Sequence, residues 1–324
     1  MDAMSIVVLA GGVGGARFLQ GVRTVSREVT AVVNTADDVT LHGLRVCPDL
    51  DSVMYTLGGG IDPERGWGRA KESWTVKEEL AAYGAEPTWF GLGDRDIATH
   101  LVRTRMLDAG YPLSAVTEAL CTRWQPGVRL LPMTDDRVET HVVVQDSGGR
   151  RALHFQEWWV RHRASLDPVE FVPVGAPESA PAPGVLDALR DAELVLLAPS
   201  NPVVSIGTIL AVPGLREALR STAAPVVGVS PIIGGAPVRG MAERCLPALG
   251  VEVSAAGVGG WYGARSAGGL LDGWLVDTAD AGTTVPGVDV RAVPLYMTDP
   301  DATAAMVREA AALVGVDLGD AHRA

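Results

Sequence analysis

The chain opens with a short stretch that decides its fold, Ile6-Val7-Val8-Leu9-Ala10-Gly11-Gly12-Val13-Gly14-Gly15-Ala16-Arg17-Phe18-Leu19-Gln20-Gly21-Val22. The apolar run predicts a buried strand, the glycine cluster a tight loop, and the apolar spacing after it the start of a helix. Such a loop lets phosphate oxygens approach backbone N–H groups at the positive end of a helix dipole. It predicts a phosphate-binding loop; the alternative is a glycine-rich turn that only lets strand and helix pack closely.

Two common forms of phosphate-binding loop do not match these residues. A Walker A loop ends in Gly-Lys-Ser/Thr, whereas this loop ends in Gly15-Ala16-Arg17, so that form is excluded. The dinucleotide fingerprint GxGxxG needs glycine where Arg17 stands. The second predicted strand, Val29–Val33, also ends in Asn34 rather than in an acid for a ribose hydroxyl. A nicotinamide cofactor is therefore disfavoured.

Composition and charge exclude several classes of protein. With 324 residues, 47% of them hydrophobic, the chain can form one large core or a core with an insertion. No apolar run reaches the ~18 residues of a membrane span and no secretion signal is evident, so we expect a cytoplasmic protein without a membrane partner. The net charge of -12 would repel nucleic acid, and a phosphate ligand would need a mediating cation. Met1–Ala3 are expected to be a leader without function.

The cysteines predict neither redox chemistry nor a metal site. Cys47, Cys121 and Cys245 are odd in number and far apart, which fits neither a disulfide framework nor zinc spacing. We expect them to be small hydrophobic residues of the interior.

Strand-like runs alternate with helical patterns at both ends of the chain. After the opening unit, the Val/Leu-rich runs are Leu194–Ala198, Pro225–Val229, Val251–Ser254 and Trp274–Asp277. Such runs suit parallel strands buried on both faces. They predict an α/β protein with a Rossmann-like, doubly wound, mostly parallel sheet, formed by residues 5–61 and 173–324. Asp301–Val314 is predicted to be a terminal helix with Pro300 at its start.

Residues 62–172 carry helical patterns and a hairpin signal instead of buried strand runs. This pattern predicts an inserted α+β subdomain that is mainly helical. Helical patterns cover Ile97–Leu107 and the segment from Ser114, a predicted N-cap, to Trp124. Strand-like runs on either side of Asp146-Ser147-Gly148-Gly149 predict a hairpin. The aromatic residues Trp67, Phe90, Trp158 and Trp159 are interpreted mainly as core, although one of them could stack on a flat heterocycle.

Acidic residues follow the second strand and recur soon after it, in Asn34-Thr35-Ala36-Asp37-Asp38 and Pro48-Asp49-Leu50-Asp51. Ligands of open α/β sheets bind beyond the carboxyl ends of the strands, so these side chains should lie near the glycine loop. Mg²⁺ would relieve the repulsion between the acids, with Asp37, Asp38 and Asp49 as candidate ligands. Alternatively, Asp37 or Asp38 caps a turn and Asp49 caps a helix that starts near Leu50. Asp51 is the strongest functional candidate, because Asp49 and Asp51 cannot both serve as that cap.

Three later loops are tight, polar and rich in proline or glycine: Gly91–Asp96, Pro199–Pro202 and Ser230–Gly235. The last two follow predicted strands, so Ser200, Asn201, Ser230, Ile232 and Gly234 can converge on a ligand and bind a base or ribose. Arg95 is either a phosphate contact or part of a surface charge network. His100, on the same helix face as Asp96, is either polar core or a wall of the site.

Taken together, these motifs resemble the 2-phospho-L-lactate transferase family along almost the whole chain. The matching segments are Ala10–Gly15, Asn34–Asp38, Pro48–Asp51, Leu92–His100, Pro132–Asp136, Pro199–Pro202 and Ser230–Gly234. The family makes coenzyme F420 by joining the deazaflavin alcohol Fo to a phospho-acid carried on guanosine diphosphate. The chain is similar to actinobacterial members, which use the enolpyruvyl donor and form dehydro-F420-0, with GMP as the leaving product.

The resemblance implies transfer of a phosphoenolpyruvyl or 2-phospho-L-lactyl group to the ribityl hydroxyl of Fo; the lactyl donor would give F420-0. Mg²⁺ would bridge the diphosphate, and Asp51 or Asp49 would orient or deprotonate the Fo hydroxyl. Archaeal members carry lysine where this chain has Gly91. A homodimer is expected as the commonest oligomer. The guanosine part would lie against Gly12, Gly14, Gly15, Ser200, Asn201 and Ser230, with Asn34, Arg95, Ile232 and Gly234 completing the substrate-binding set.

The alternative from another class is a regulator of the same superfamily that binds a UDP-sugar without turning it over. The loop of that branch after Asp-Asp is rich in glycine and serine. Here the corresponding stretch, Val39-Thr40-Leu41-His42-Gly43-Leu44, favours the transferase.

Overall fold

The computed structural model describes residues 4–318; Met1–Ala3, the predicted leader, lie outside this range. The strands are β1 Ser5–Ala10, β2 Glu28–Val33, β3 Val39–Leu41, β4 Leu44–Val46, β5 Arg129–Pro132, β6 Glu139–Asp146, β7 Gly149–His154, β8 Pro168–Val174, β9 Leu194–Leu197, β10 Val226–Val229, β11 Ile232–Ile233, β12 Ala236–Pro237, β13 Gly273–Val276 and β14 Asp289–Ala292. The helices are α1 Gly12–Val25, α2 Pro48–Leu57, α3 Thr75–Ala82, α4 Asp94–Asp108, α5 Leu113–Trp124, α6 Val185–Asp191, α7 Gly207–Ile209, α8 Leu215–Ser221, α9 Ala242–Cys245, α10 Ala255–Tyr262 and α11 Pro300–Leu313.

A seven-stranded sheet in the order β14-β13-β10-β9-β1-β2-β5 forms the centre of the fold. Every neighbouring pair in this sheet is parallel. From β1 the chain proceeds through β2 to β5 on one side, and later from β9 through β10 and β13 to β14 on the other. The sheet is therefore doubly wound, with its switch point between β1 and β9. The predicted α/β fold is confirmed.

The central strand β1 shows why the sheet is buried on both faces. Ile6, Val8 and Ala10 belong to the core formed with α1, α2 and α11. Val7 and Leu9 belong to the opposite core, which includes residues of α6, α8 and α10. Successive side chains of a strand point to opposite faces, so a run of consecutive apolar residues supplies both cores.

Residues 62–172 combine the predicted helices and hairpin with a strand of the central sheet. The helices α4 and α5 cover the predicted segments, and β6 pairs with β7 across Asp146–Gly149 as predicted. β8 adds a third strand to this hairpin. β5 lies in the same range but pairs with β2 at the edge of the central sheet. Its apolar run, Leu130–Leu131, is too short to give a clear strand signal.

Several local predictions were wrong. Val251–Ser254 is a loop, and Ser254 instead caps α10 by accepting a hydrogen bond from the Gly257 N–H. The N-cap of α5 is Pro112 rather than Ser114, whose N–H and hydroxyl both donate to Asp135. Trp67 is 47% exposed and is not a core residue.

The cysteine prediction is largely confirmed, because Cys47 and Cys245 are buried, Cys121 is half-buried and all three are free. Within residues 4–318, none of the helices is both long enough and apolar enough to cross a membrane.

The packing of α1 against α11 predicts the effect of a small substitution. A Cβ at Gly21 would lie 2.5 Å from the Cβ of Thr303. We expect Gly21→Ala to lower the free energy of unfolding by about 1–3 kcal/mol, because the added methyl group must push the helices apart. Urea unfolding followed by circular dichroism measures this. Gly260→Ala in α10 is the control, since its Cβ position is open and alanine there should be neutral or slightly stabilising. Equal losses in both variants would contradict the packing argument.

Candidate active site

The candidate site lies at the switch point of the sheet. There, hydrogen bonds join the loop that follows β1 to the loop that follows β9. The Ser200 hydroxyl accepts a hydrogen bond from the Gly11 N–H at 3.0 Å and donates to the Gly11 carbonyl at 2.8 Å. Ser200 therefore holds the glycine loop against the β9 exit. The two loops that the sequence placed together are in direct contact, at the position where open α/β sheets bind ligands.

Packing inside the protein explains most of the glycines of this loop. A Cβ at Gly11 would lie 2.6 Å from the Cβ of Ser205 and 2.7 Å from Oδ2 of Asp49. A Cβ at Gly15 would lie 2.8 Å from the Cβ of Ala10. Gly12 has φ +62°, in the left-handed region that favours glycine. Close packing therefore accounts for Gly11 and Gly15, and backbone conformation accounts for Gly12, while the N–H groups of the first turn of α1 remain the feature that suits a phosphate.

Asn34 ties three parts of the site together and has no free amide hydrogen left for a ligand. Its side-chain N–H groups donate to Asp49 Oδ2 at 3.0 Å and to the Val204 carbonyl at 3.2 Å. Its Oδ1 accepts from the Ala36 N–H and from the Thr208 hydroxyl. Asn34 thus orders the β2 exit and the start of α2, and its predicted substrate contact remains a prediction.

Three of the predicted aspartates, Asp37, Asp38 and Asp49, are buried beside this loop. Asp38 forms an ion pair with Arg45 at 3.1 Å. Oδ1 of Asp37 has no hydrogen-bond partner in the described part of the chain. The interpretation of Asp49 as a helix cap was wrong, because α2 begins at Pro48 and Asp49 lies within its first turn. The dipole of α2 favours negative charge at that position.

Burial raises the pKa of all three carboxyl groups. Burial raises the pKa of Asp38 to about 6, although the positive charge of Arg45 stabilises the carboxylate and opposes the shift. It raises the pKa of Asp49 to about 7, although the hydrogen bond from Asn34 opposes the shift. The pKa of Asp37 is well above its usual range, first through burial and then through the charges of Asp49 and Asp38. Asp37 and Asp49 together therefore favour bound protons or a cation.

The donor set fits Mg²⁺ in charge but not as a complete protein cage. Neither Asp37 nor Asp49 forms an ion pair with a basic residue among the residues described. Within 4–318, no three His, Cys, Asp or Glu side chains are placed to hold one metal ion together. Mg²⁺ commonly takes one or two carboxylates and completes its shell with water and phosphate oxygens. These residues therefore fit Mg²⁺ that arrives with a phosphate ligand, and the three-aspartate ligand set stays a prediction.

Asp51 faces different partners from Asp49, although both lie in the first turn of α2. Arg103 of α4 donates to Oδ1 of Asp51 in a buried ion pair. His100 Nδ1 lies 3.7 Å from Oδ2 of Asp51. This second oxygen has no hydrogen-bond partner among the described residues. Asp51 is thus held through one oxygen, while its other oxygen is buried and accepts no hydrogen bond from the described residues.

The predicted residues after β9 and β10 mainly shape their own loops. Asn201 accepts hydrogen bonds from the Val203 and Val204 N–H groups and caps the helical turn Pro202–Ile206. The Ser230 hydroxyl donates to the Ile232 carbonyl at 2.8 Å. Gly234 donates its N–H to Asp280 at 2.9 Å. None of these bonds joins the two loops to the aspartates.

Arg95 is exposed at the start of α4, and its side chain forms no ion pair within residues 4–318. The described residues therefore do not form the surface charge network around Arg95 that was one of the two interpretations. The other interpretation, a contact with phosphate, stays a prediction. At the neighbouring loop, Lys77 Nζ lies 3.7 Å from where a Cβ at Gly91 would be. An ammonium group thus reaches this place from α3.

Sequence reasoning missed the arginines that surround the site. Arg45 and Arg103 pair with Asp38 and Asp51, respectively. The pKa of Arg17 in α1 is lowered by burial and by the nearby charge of Arg239. A usable signal existed for Arg103, because it lies three residues after His100 and therefore shares the helix face that His100 and Asp96 mark.

The 2-phospho-L-lactate transferase CofD family matches residues 6–294, a range that includes the glycine loop, the aspartates and the loops after β9 and β10. The chain belongs to this family. It is therefore a transferase, and the family that its motifs indicated, which serves coenzyme F420 biosynthesis, is confirmed.

Proteins named phosphoenolpyruvate transferase are similar to this chain along nearly their whole length. The Nocardia farcinica protein is 67% identical over 96% of this chain and 95% of its own. The Thermobifida fusca protein is 66% identical over 94% of this chain and 95% of its own. The Mycolicibacterium smegmatis protein is 62% identical over 97% of this chain and 100% of its own.

Solved structures of protein BH3568 from Bacillus halodurans share the fold. One has a TM-score of 0.60 at 17% identity, covering 97% of this chain and 100% of that chain. The other, described as a member of the UPF0052 family, has a TM-score of 0.54 at 16% identity, covering 86% of this chain and 81% of that chain. At these identities the similarity shows the fold alone.

The raised pKa of Asp49 predicts a contribution to stability that is lost as pH rises. The folded protein holds this proton up to about pH 7, whereas an unfolded aspartate releases it near its usual value of about 3.9. Between these two pH values the folded state binds more protons than the unfolded state. The free energy of unfolding therefore falls as the pH rises, by at most about 1.4 kcal/mol for each pH unit.

Thermal unfolding of Asp49→Asn, in buffers that contain a chelator, measures this effect. The variant should lose less stability than the wild type between about pH 5 and pH 7, because it has no such proton to release. Asp187→Asn is the matched control, since Asp187 is an exposed aspartate of α6 paired with Arg190. Identical pH dependence of Asp49→Asn and wild type would show that Asp49 does not carry the proton.

Proposed function

We propose that this transferase moves the phosphoenolpyruvyl group from a guanosine diphosphate-activated donor to the ribityl hydroxyl of Fo, giving dehydro-F420-0 and GMP. With a 2-phospho-L-lactyl donor the product would be F420-0. The observation that carries the proposal is the buried aspartate cluster joined to the glycine loop at the switch point. The names of the similar phosphoenolpyruvate transferases favour the enolpyruvyl donor.

The loop region suits the diphosphate of such a donor. The N–H groups of the first turn of α1 attract phosphate oxygens. Arg17, in the next turn, and the nearby Arg239 add positive charge, and neither forms an ion pair with an acid in the part of the chain described. Asp37 and Asp49 are the residues that would hold Mg²⁺ against the same phosphates, where the ion neutralises charge.

Transfer of this kind depends on positioning and charge neutralisation more than on covalent catalysis. The Fo hydroxyl attacks the phosphorus that bears the enolpyruvyl group, the bond from that phosphorus to the GMP oxygen breaks, and GMP leaves. Oδ2 of Asp51, which lacks a partner, orients this hydroxyl or accepts its proton. The glycine loop holds the phosphate that leaves.

A UDP-sugar-binding regulator is the alternative. The stretch that separates the two branches forms the β3–β4 hairpin here. Leu41 and Val46 of this hairpin pack with Leu92, at the loop before α4. The hairpin is thus a packed, apolar element rather than a loop rich in glycine and serine, which supports the transferase.

Ligand titrations separate the two candidates. We expect GDP with Mg²⁺ to stabilise the protein by about 2.7 kcal/mol at a hundredfold excess over Kd, because only the folded state binds it. UDP-sugars and NADH should give little stabilisation. Incubation with Fo and each donor, followed by mass spectrometry, should show dehydro-F420-0 or F420-0. Stabilisation by a UDP-sugar alone, with no product from either donor, would favour the regulator.

Asp51→Asn should lower kcat by about 10²–10⁴-fold, because an amide cannot accept the proton of the Fo hydroxyl. KM for the nucleotide donor should change little, since Asp51 contacts α4 rather than the glycine loop. Stability will also fall, because Arg103 loses a charged partner in a buried site. Circular dichroism therefore accompanies the assay, with Asp187→Asn as the control. Wild-type kcat in folded Asp51→Asn would remove Asp51 from the mechanism.

A further inference from the structure

A chain of polar side chains, all buried except the half-buried Asp96, connects Tyr55 to Asp51 by way of α4. The Tyr55 hydroxyl donates to Asp96 Oδ1 at 2.6 Å. Asp96 Oδ2 lies 3.4 Å from Nε2 of His100. Nδ1 of His100 lies 3.1 Å from Nη1 of Arg103, and Arg103 Nη2 donates to Asp51 Oδ1. The chain therefore begins and ends on α2 and passes through three residues of α4.

Helix geometry accounts for this arrangement. Residues three or four apart share a helix face, which brings Asp96, His100 and Arg103 together on α4. The same spacing brings Asp51 and Tyr55 together on α2. The two faces meet, so the side chains of one helix fix those of the other.

The chemistry of arginine assigns the proton of His100. A guanidinium only donates hydrogen bonds, so Nδ1 of His100 must accept from Arg103. His100 consequently has no proton on Nδ1 to give to Asp51, and Oδ2 of Asp51 stays without a partner. Nε2 of His100 faces Asp96 Oδ2 at 3.4 Å but forms no hydrogen bond among the described residues.

Arg103 is the residue on which the orientation of Asp51 depends. His100 and Arg103 are each 1% exposed, so water does not compete for their hydrogen bonds. Arg103 Nη1 also lies 3.3 Å from the Arg45 carbonyl, to which it donates. The planar guanidinium is thus fixed by His100, Arg45 and Asp51 together, and among the residues that the structure describes Asp51 is the acid that forms an ion pair with it.

We propose that Asp96, His100 and Arg103 form a positioning relay for Asp51, which binds Oδ1 and leaves Oδ2 free for the hydroxyl of the acceptor alcohol. The inference rests on the proposed function, and it assigns roles to residues that touch neither donor nor acceptor. His100 fixes the rotation of the Arg103 guanidinium, and Asp96, held by the Tyr55 hydroxyl, lies against Nε2 of the His100 ring. A small displacement of a group that acts on a reacting atom can cost about 10²-fold in rate.

Two substitutions of His100 test the relay. His100→Leu removes the acceptor for Arg103 and should lower kcat by about 10-fold or more, with KM for the nucleotide donor unchanged. His100→Asn places an amide oxygen near the position of Nδ1, so it should recover a large part of the lost kcat. A purely structural role would lower the unfolding temperature but would not separate kcat from KM. His162, half-buried beside Glu157, is the control, because His162→Leu should leave kcat unchanged.

Tyr55→Phe tests the far end of the relay with little risk to folding, because it removes one hydroxyl. It should lower kcat by a few-fold, since Asp96 keeps its contact with His100. All variants are assayed with Fo and both donors below their unfolding temperatures.

The outcomes separate the relay from the proposed function. Absence of product from the wild type with either donor would overturn the proposed function and the relay with it. An active wild type with unchanged kcat in folded His100→Leu would overturn the relay alone. Equal kcat for His100→Leu and His100→Asn would also overturn it, because an acceptor at the Nδ1 position would then not matter.

Discussion

Two buried ion pairs make the site possible, Arg45 with Asp38 and Arg103 with Asp51. Four carboxylates lie within the β2 exit and the first turn of α2, where burial disfavours the charged form of each. Both arginines come from outside the strand–helix units that carry the acids, Arg45 from β4 and Arg103 from α4. The site is therefore complete only when these two elements are docked, which makes them as necessary to it as the glycine loop.

Much of the fold could be predicted because it follows from local patterns. The Val/Leu runs of β1, β9 and β10 are buried on both faces, so each is a continuous apolar segment that stands out in the sequence. The loops after β1 and β9 were expected to converge on one ligand because both follow predicted strands, and the glycine loop and Ser200 are in contact in the structure. β5 and β14 were missed because Leu130–Leu131 is very short and Arg291 interrupts the apolar run of β14.

The interactions inside the site could be predicted only in part, because they join distant parts of the chain. Asp51 and Arg103 are 52 residues apart, and Gly11 and Ser200 are 189 residues apart. A motif shows that an aspartate is present, but not whether it pairs with an arginine or faces a ligand. Asn34 illustrates the limit: the sequence predicts a substrate contact, which stays a prediction, but it could not show the four side-chain hydrogen bonds that connect the β2 exit, α2 and the turns after β9.

The glycine at position 11 connects the two explanations of the loop. The space that a Cβ at Gly11 would take is filled by Ser205 and by the carboxyl group of Asp49, so close packing brings an acid to the glycine turn that we propose binds phosphate. An ionised Asp49 would repel a phosphate held by the adjacent N–H groups, and so would Asp37 nearby. A pKa of about 7 leaves Asp49 partly protonated at neutral pH. A cation bound together with the phosphate would reduce this repulsion at a pH above that value, where Asp49 is no longer protonated. Under the proposed function, the packing that explains Gly11 would therefore also make nucleotide binding depend on a cation, and we expect this dependence to grow with pH.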